Sequence, residues 1–259
     1  MGRIIFITSF KGGVGKTTLT ANLATALTVL GKRVLVVDAD YGNRCMDLVL
    51  GMENSSLFDS SDVISGRVDV KNAIAEHESN RRLSFLAAPA AFDSELSVTA
   101  TVQLLATLKQ QYDFVLVDSS AEDSPVYRAF ARSADDALVV SFHQSTAIRA
   151  AEKTATVLSS LGFSNIRLVV NSYHKEAEEA GALPSVLDII QRAHIRLIGV
   201  VPYDYSISLL QETGALPYGG SGRLCPFEAA TLNIAKRLLG EPVPLLKDVY
   251  KPQKLQKHL

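Results

Sequence analysis

Lys11-Gly12-Gly13-Val14-Gly15-Lys16-Thr17-Thr18 places three glycines, two lysines and two threonines in eight consecutive residues. Glycines in that density let backbone N–H groups curl around an anion, and a helix starting at the end of the run adds partial positive charge. A lysine at position 16 reaches the β- and γ-phosphates of a nucleotide, and the Thr17 hydroxyl suits Mg²⁺. The competing reading is a glycine turn with two solvated lysines. It is the weaker one, because the run sits between a strand signal and a helix signal, as a phosphate loop must. The usual G-x-x-x-x-G-K-[ST] spacing fails at its first glycine, where Phe10 stands.

Acidic residues close two apolar runs further along, Asp38 and Asp40 after Val34–Val37 and Asp118 after Phe114–Val117. An aspartate at a strand end is by itself more often a cap or turn former than a ligand. Beside a phosphate loop it has another use. Mg²⁺ demands octahedral oxygen ligation and keeps several waters, so a threonine hydroxyl, phosphate oxygens and nearby carboxylates suit it better than an all-protein cage.

The elements that would position these groups follow from periodicity. Apolar, β-branched runs at Ile4–Thr8, Val34–Asp38, Leu83–Ala87, Phe114–Asp118, Ala137–Ser141, Ile166–Asn171 and Leu197–Pro202 predict strands buried on both faces. Three- and four-residue apolar spacing predicts helices at Thr17–Leu30, Val98–Gln111, Ala147–Leu161, Leu183–Arg192 and Phe227–Leu239. The alternation implies an α/β fold, a single doubly wound, mostly parallel sheet with helices on both faces and ligands at the carboxyl ends of the strands. Composition shifts only after Gly240, so residues 1–240 are expected to form one domain and residues 241–259 a basic tail.

With 259 residues and 47% hydrophobic content, the chain can bury one large core. A net charge of −1 gives no global reason to expect nucleic acid as a partner. Cys45 and Cys225 form no paired or Cys/His spacing, which argues against a disulfide framework, structural zinc or an iron–sulfur cluster. The N-terminal apolar run is too short for a secretory segment, and no eighteen apolar residues run uninterrupted. A cytoplasmic location is expected.

The run K-G-G-x-G-K-[ST]-T resembles the deviant Walker A motif of the MinD/ParA ATPases, and the likeness extends over nearly all of residues 3–240. Asp40, Gly42, Arg44, Asp47-Leu48 and Gly51 are similar to the segment that marks the MinD branch. Gly199-Val-Val-Pro202-Tyr-Asp204, with Ser206, Gly214 and Pro217, resembles the family's adenine-side loop. The resemblance implies a P-loop NTPase fold of SIMIBI type, ATP or ADP with Mg²⁺, and slow, partner-stimulated hydrolysis in an ATP-bound homodimer. It makes Gly12, Gly13, Val14, Gly15, Lys16, Thr17 and Thr18 the phosphate cradle. Lys11 would act across the dimer on the partner's nucleotide, Asp38 and Asp118 with Thr17 would support Mg²⁺, and Asp40 would orient the attacking water. Asn171, Pro202 and Asp204 would hold the adenine, although an asparagine ending a strand serves equally as a turn residue. The function implied is a spatial switch, most readily for division-site placement, with a MinC- or MinE-like regulatory partner.

Departures from the family pattern keep other functions in play. Asp118-Ser-Ser-Ala-Glu122 replaces D-x-P-A-G, and Glu122 would set a Cβ and a negative charge beside a polyphosphate. That favours a nucleotide-binding scaffold with little turnover as the alternative class, alongside a flagellum or pilus placement ATPase. Ser172 stands where an arginine often follows Asn171. Phe142-His-Gln-Ser145-Thr-Ala-Ile-Arg149-Ala150 replaces the usual P-E-x-x-S-x-R-D, at the partner-facing helix. A nitrogenase-iron-protein-like carrier would need paired cysteines that the chain lacks. His77, His143, His174, His194 and His258 are expected to be solvated or at helix ends, Glu176, Glu178 and Glu179 to start a solvated helix, and Asp62, Asp69 and Asp93 to cap or turn. In the tail, Pro252 interrupts any long amphipathic helix, so weak or absent membrane binding is expected despite Lys247, Lys251, Lys254 and Lys257.

Overall fold

The computed structural model describes residues 2–92, 96–218 and 224–246. Its elements run β1 (Arg3–Thr8), α1 (Lys16–Val29), β2 (Val34–Ala39), α2 (Met46–Leu50), α3 (Ser60–Ile64), α4 (Val70–Ala73), β3 (Ile74–His77), β4 (Asn80–Leu86) and α5 (Val98–Gln111). They continue with β5 (Phe114–Ser119), α6 (Pro125–Ala131), β6 (Asp136–Ser141), α7 (Ser145–Ser160), β7 (Ile166–Tyr173), α8 (Lys175–Glu179), α9 (Val186–Ala193), β8 (Arg196–Pro202), α10 (Tyr205–Glu212) and α11 (Pro226–Leu238). Each predicted strand and helix is present, with ends moved by at most three residues.

One eight-stranded sheet has the order β3-β4-β2-β5-β1-β6-β7-β8, parallel throughout except for β3, which pairs antiparallel with β4. The chain steps outward on one side of β1 and then on the other, so strand order reverses at β1. An α/β sheet opens its ligand crevice at that reversal, outside the carboxyl ends of the strands. Alternate residues of the central strands feed two cores. Ile5, Ile7, Val34 and Val36 pack with α1 and α11 on one face, and Ile4, Phe6, Leu35 and Val37 pack with α5, α6, α7 and α9 on the other. Continuous burial of β2, β5 and β6 is why they read as unbroken apolar runs.

Sequence periodicity misses β3 and six short helices. A four-residue strand and helices of four to eight residues give too few turns for a period to register, and local capping defines several of them. Asp59 accepts from Ser61 N and Asp62 N to start α3, and Asp69 accepts from Lys71 N to start α4. Asp62 and Asp69 thus serve in caps, as expected; Asp93 and His258 lie outside the described residues. His174 and His194 stand at helix ends. His77 and His143 correct the expectation, because both are buried. The Nε2 of His77 meets Leu50 O at 3.1 Å, and His143 Nε2 accepts from His174 N at 3.1 Å.

From the last turn of α11 the Arg237 guanidinium spans Ile198 O in β8 at 2.8 Å and Val243 O at 3.0 Å, tying residues past Gly240 back to the sheet. Residues 247–259, which hold most of the basic tail, lie outside the described residues.

One contact ties the ends of α2 and α10 together over the crevice. Gly51 and Gly214 both lie in the left-handed region, at φ +64° and +63°. A Cβ on Gly51 would stand 2.3 Å from Gly214 O, and one on Gly214 would stand 2.7 Å from Gly51 Cα. Gly51→Ala therefore combines a left-handed penalty of roughly 1–2 kcal/mol with a backbone overlap. Differential scanning calorimetry should show Tm lowered by several degrees, at about 2–4 °C per kcal/mol for a chain of this size; an unchanged Tm would mean that the two turns do not touch.

Candidate functional site

The loop from β1 to α1 is shaped by its glycines. Gly13 has φ +74° and Gly15 has φ +82°, conformations that an L side chain enters at a cost. Gly15 is the N-cap of α1, so the first turn of the helix opens toward the loop with its N–H groups aimed outward. A Cβ on Gly15 would strike Asn171 Nδ2 at 2.4 Å. That nitrogen donates to Val14 O at 2.9 Å, and the Val14 side chain is fully buried. The loop is thus held from below by Val14 and from the side by Asn171.

Asn171 itself is placed by a bulge. β7 continues to Tyr173, past the predicted end, but its register with β8 shifts between Val170 and Tyr173, and Ser172 has φ +47°. A bulge re-aims a side chain out of the strict alternation of a strand. Here it turns Asn171 onto the phosphate loop, which is a loop-facing role rather than the turn that residue type alone allows.

Facing the loop, Asp38 and Asp118 are register partners on adjacent strands β2 and β5. Each is 1% exposed. Thr17 Oγ1 donates to Asp118 Oδ2 at 2.7 Å and Thr20 Oγ1 to Asp118 Oδ1 at 3.2 Å. Asp38 accepts from Asp40 N at 2.9 Å and Met46 N at 3.4 Å. Burial raises the Asp38 carboxyl to about 8, and the neighbouring Asp118 charge adds to the rise. Burial also raises Asp118 to about 6, against hydrogen bonds from Thr17 and Thr20 and the charge of Lys16. The Lys16 ammonium is pulled down by burial, with Asp118 and Asp40 opposing. Asp40 Oδ2 accepts from Asn43 at 3.0 Å, while its Oδ1 is buried with no partner.

These residues surround a cavity of about 340 Å³ lined by Gly12, Gly13, Lys16, Thr17, Asp40 and Asp118, among others. A second cavity, about 180 Å³, runs between the loop and the ends of β7 and β8, against Asn171, Pro202, Asp204 and Phe227. Gly13, Gly15 and Thr18 line both, so the two form one trough with an anionic end and a base-sized end. A divalent cation fits the first: the Thr17 hydroxyl, the Asp118 carboxylate and the orphaned Oδ1 of Asp40 offer it hard oxygen ligands, with Lys16 the positive side chain among the described lining residues. Among the described residues no three His, Cys, Asp or Glu side chains are grouped to hold a metal, so phosphate and water oxygens would complete the shell.

Of the site residues expected from sequence, Gly12, Gly13, Gly15, Lys16, Thr17, Thr18, Asp40 and Asp118 line the first cavity and Asn171, Pro202 and Asp204 the second, whereas Lys11, Val14 and Asp38 line neither, Asp38 being held behind the wall by Asp40 N and Met46 N. Asp204 lines the base end, but its Oδ1 also accepts from Ser206 N at 3.0 Å to cap α10. Glu122 is exposed and does not line the phosphate cavity, whereas Ala121 does. Sequence reasoning missed Thr20, one turn after Lys16, and Gln211. The first was legible from helix spacing, whereas nothing short of the folded α10 reveals the second.

Residues 5–218 match the model of the CobQ/CobB/MinD/ParA nucleotide binding domain. The chain is 37% identical over 254 residues to the septum site-determining protein MinD of Bacillus subtilis, covering 95% of this chain and 92% of that one. Among solved structures it resembles the MinC:MinD cell division protein complex of Aquifex aeolicus, with a TM-score of 0.87 and 34% identity, covering 94% of this chain and 98% of that one. MinD of Pyrococcus horikoshii, solved with Mg-ADP, gives a TM-score of 0.79 at 27% identity, covering 92% of this chain and 96% of that one.

Asp38 and Asp118 bind protons more tightly in the fold than in the unfolded chain. Their protonation therefore stabilises the fold fully below the unfolded value near 3.8, and that stability is lost as pH rises through about 6 and about 8. Without nucleotide or metal, Tm should fall between pH 5 and pH 9, and Asp38→Asn should flatten the fall. Scanning fluorimetry that finds the same slope in both proteins would refute this account of the buried pair.

Proposed function

This chain belongs to the CobQ/CobB/MinD/ParA nucleotide-binding family, and from that premise we propose that it is a Mg²⁺-dependent ATPase serving as a spatial switch for division-site placement. The observation that carries the chemistry is the continuous trough from the phosphate loop to Asn171, with buried acids at one end. The cellular role is carried by likeness to MinD proteins along nearly the whole chain.

In this reading Lys16 and the N–H groups at the start of α1 hold the β- and γ-phosphates. A bound Mg²⁺ supplies charge neutralisation at the phosphates, and Thr17 with Asp118 would hold it, Asp38 fixing their surroundings. Thr17 already lies 2.7 Å from Asp118, so little reorganisation is required. The unpartnered Oδ1 of Asp40 accepts from a water and turns its lone pair toward the γ-phosphorus, while Asn43 holds the other oxygen. Lys11 sits half-buried at the mouth of the loop, and no described carboxylate pairs with it, which leaves its ammonium for the nucleotide of a second copy. Charge delivered across a dimer interface at the developing negative charge accelerates phosphoryl transfer. A MinC-type protein is the partner that the Aquifex aeolicus complex supports.

Three substitutions separate these roles. Calorimetry should show that Lys16→Ala loses MgATP affinity in a folded protein. Lys11→Ala should bind MgATP as a monomer but neither dimerise nor hydrolyse it, and Asp40→Ala should accumulate as the ATP-bound dimer with turnover reduced at least tenfold. Undiminished ATP affinity in the first, an intact ATP dimer in the second by light scattering, or normal turnover in the third each removes the corresponding role.

Among the described residues no helix is long and apolar enough to cross a membrane. The tail offers four lysines, each contributing about 1 kcal/mol at an anionic surface, but only Leu255 and Leu259 as strong apolar anchors after Pro252. Sedimentation with anionic liposomes should therefore show at most weak pelleting with MgATP; robust pelleting that vanishes when the residues after Gly240 are removed would establish the tail as a membrane anchor.

A further inference from the structure

Two side-chain amides in the base-sized cavity are half engaged. Asn171 gives its Nδ2 to Val14 O, and its Oδ1 is buried with no partner. Gln211 accepts from Thr18 Oγ1 at 3.2 Å on its Oε1, and its Nε2 is buried with no partner. Both line the same cavity. Buried polar atoms in folded proteins are paired nearly always, so one lone acceptor and one lone donor, on two residues that line one cavity, describe a ligand with a donor and an acceptor of its own once the two amides turn to it; Gln211 also lines a neighbouring cavity against α2.

We propose that Gln211 reads the nucleobase, its Nε2 donating to adenine N1 while Asn171 Oδ1 accepts from the 6-amino group. This deepens the ATP-site reading above and rests on it. Three observations favour the base over the phosphates as the target of Gln211. Gln211 lines the base-sized cavity and is absent from the wall of the phosphate cavity. Of the side chains lining the base-sized cavity, only Asn171 and Gln211 carry N–H groups, and that of Asn171 is turned to the loop. The rotation of α10 is fixed by Ile207, which is 4% exposed, so Ser208 and Gln211, three residues apart, present one helix face to the cavity. Ser172 offers no nitrogen, and the donor arrives from α10 instead.

The order of the pair decides the base. Adenine presents a 6-amino donor beside the N1 acceptor, matching Asn171 Oδ1 and Gln211 Nε2. Guanine presents a 6-oxo acceptor beside an N1–H donor, so both contacts set like against like. A site built on buried polar groups rejects the ligand that leaves them unpaired far more strongly than an apolar pocket rejects a misfit.

Displacement of a fluorescent nucleotide by MgATP and MgGTP tests this on the full chain, using wild type, Gln211→Leu and Gln211→Glu. Wild type should prefer ATP. Gln211→Leu should reduce the ATP/GTP affinity ratio about tenfold, the loss expected for one buried hydrogen bond. Gln211→Glu keeps an acceptor for Thr18 but faces guanine N1–H with a second one, and should move the ratio further toward GTP. Ligand-free Tm should stay near wild type in both, and if one variant fails to fold the other decides. A ratio unchanged from wild type, whether or not both affinities fall together, would make Gln211 a structural residue and overturn the proposal; so would a wild type that does not prefer ATP. Binding of neither nucleotide by wild type would be a different failure, that of the ATP-site reading itself.

Discussion

Two ionisable carboxyls buried side by side are a costly arrangement, and the architecture around Asp38 and Asp118 is organised to sustain it. Register pairing of β2 with β5 sets them opposite each other at the end of the strands, each 1% exposed. Desolvation alone would drive both toward the neutral form. Opposing that at Asp118 are Thr17 and Thr20, one turn apart on α1, each donating to it, and the charge of the buried Lys16 just before them, while Asp38 accepts from Asp40 N and Met46 N. The helix N-terminus adds its own partial positive charge. A site that concentrates negative charge in low dielectric and then supplies donors at measured positions is arranged for a ligand whose cation completes the balance.

The same arrangement explains which parts of the fold were legible. Central strands such as Val34–Ala39 and Phe114–Ser119 are buried on both faces, so their apolar runs are unbroken and mark them plainly. Long helices such as α5 carry enough turns for an apolar period. The edge strand β3 has four residues and one fully polar, exposed position among them, α3 and α4 are started by the caps Asp59 and Asp69, and α2 and α8 are single short turns in which at most two residues are buried. Short local signals compete with many equivalent ones in any sequence, and only packing selects among them.

Site residues divide along a similar line. The phosphate loop was legible because its chemistry is contiguous, and glycine, lysine and threonine in succession have few other uses. Asp40 and Asp118 were legible because strand ends in an α/β sheet converge. Asn171 was ambiguous in sequence; the bulge at Ser172 resolves it by turning the side chain onto Val14 O. His143 was misjudged because residue type cannot report that a backbone N–H, that of His174, stands within reach of its ring. Glu122 stands out in sequence by its charge; in the fold it is exposed, outside the lining of the phosphate cavity, and its carbonyl accepts from Ser124 N at 3.0 Å in a tight turn.

The contacts around the trough close into a ring. From α1, Thr17 and Thr20 reach Asp118, which faces Asp38 across the strands; Asp38 holds Asp40 N and Met46 N at the start of α2. α2 ends at Gly51, packed on Gly214 just beyond α10, and α10 returns to α1 through Gln211 and Thr18. A change of charge at the carboxylate pair alters how strongly Asp38 accepts from Asp40 and Met46, and those two amides set where α2 begins. The phosphate end and the base end of the trough are thus joined through hydrogen bonds and one backbone contact, which hold α1, α2 and α10 in a single arrangement around it.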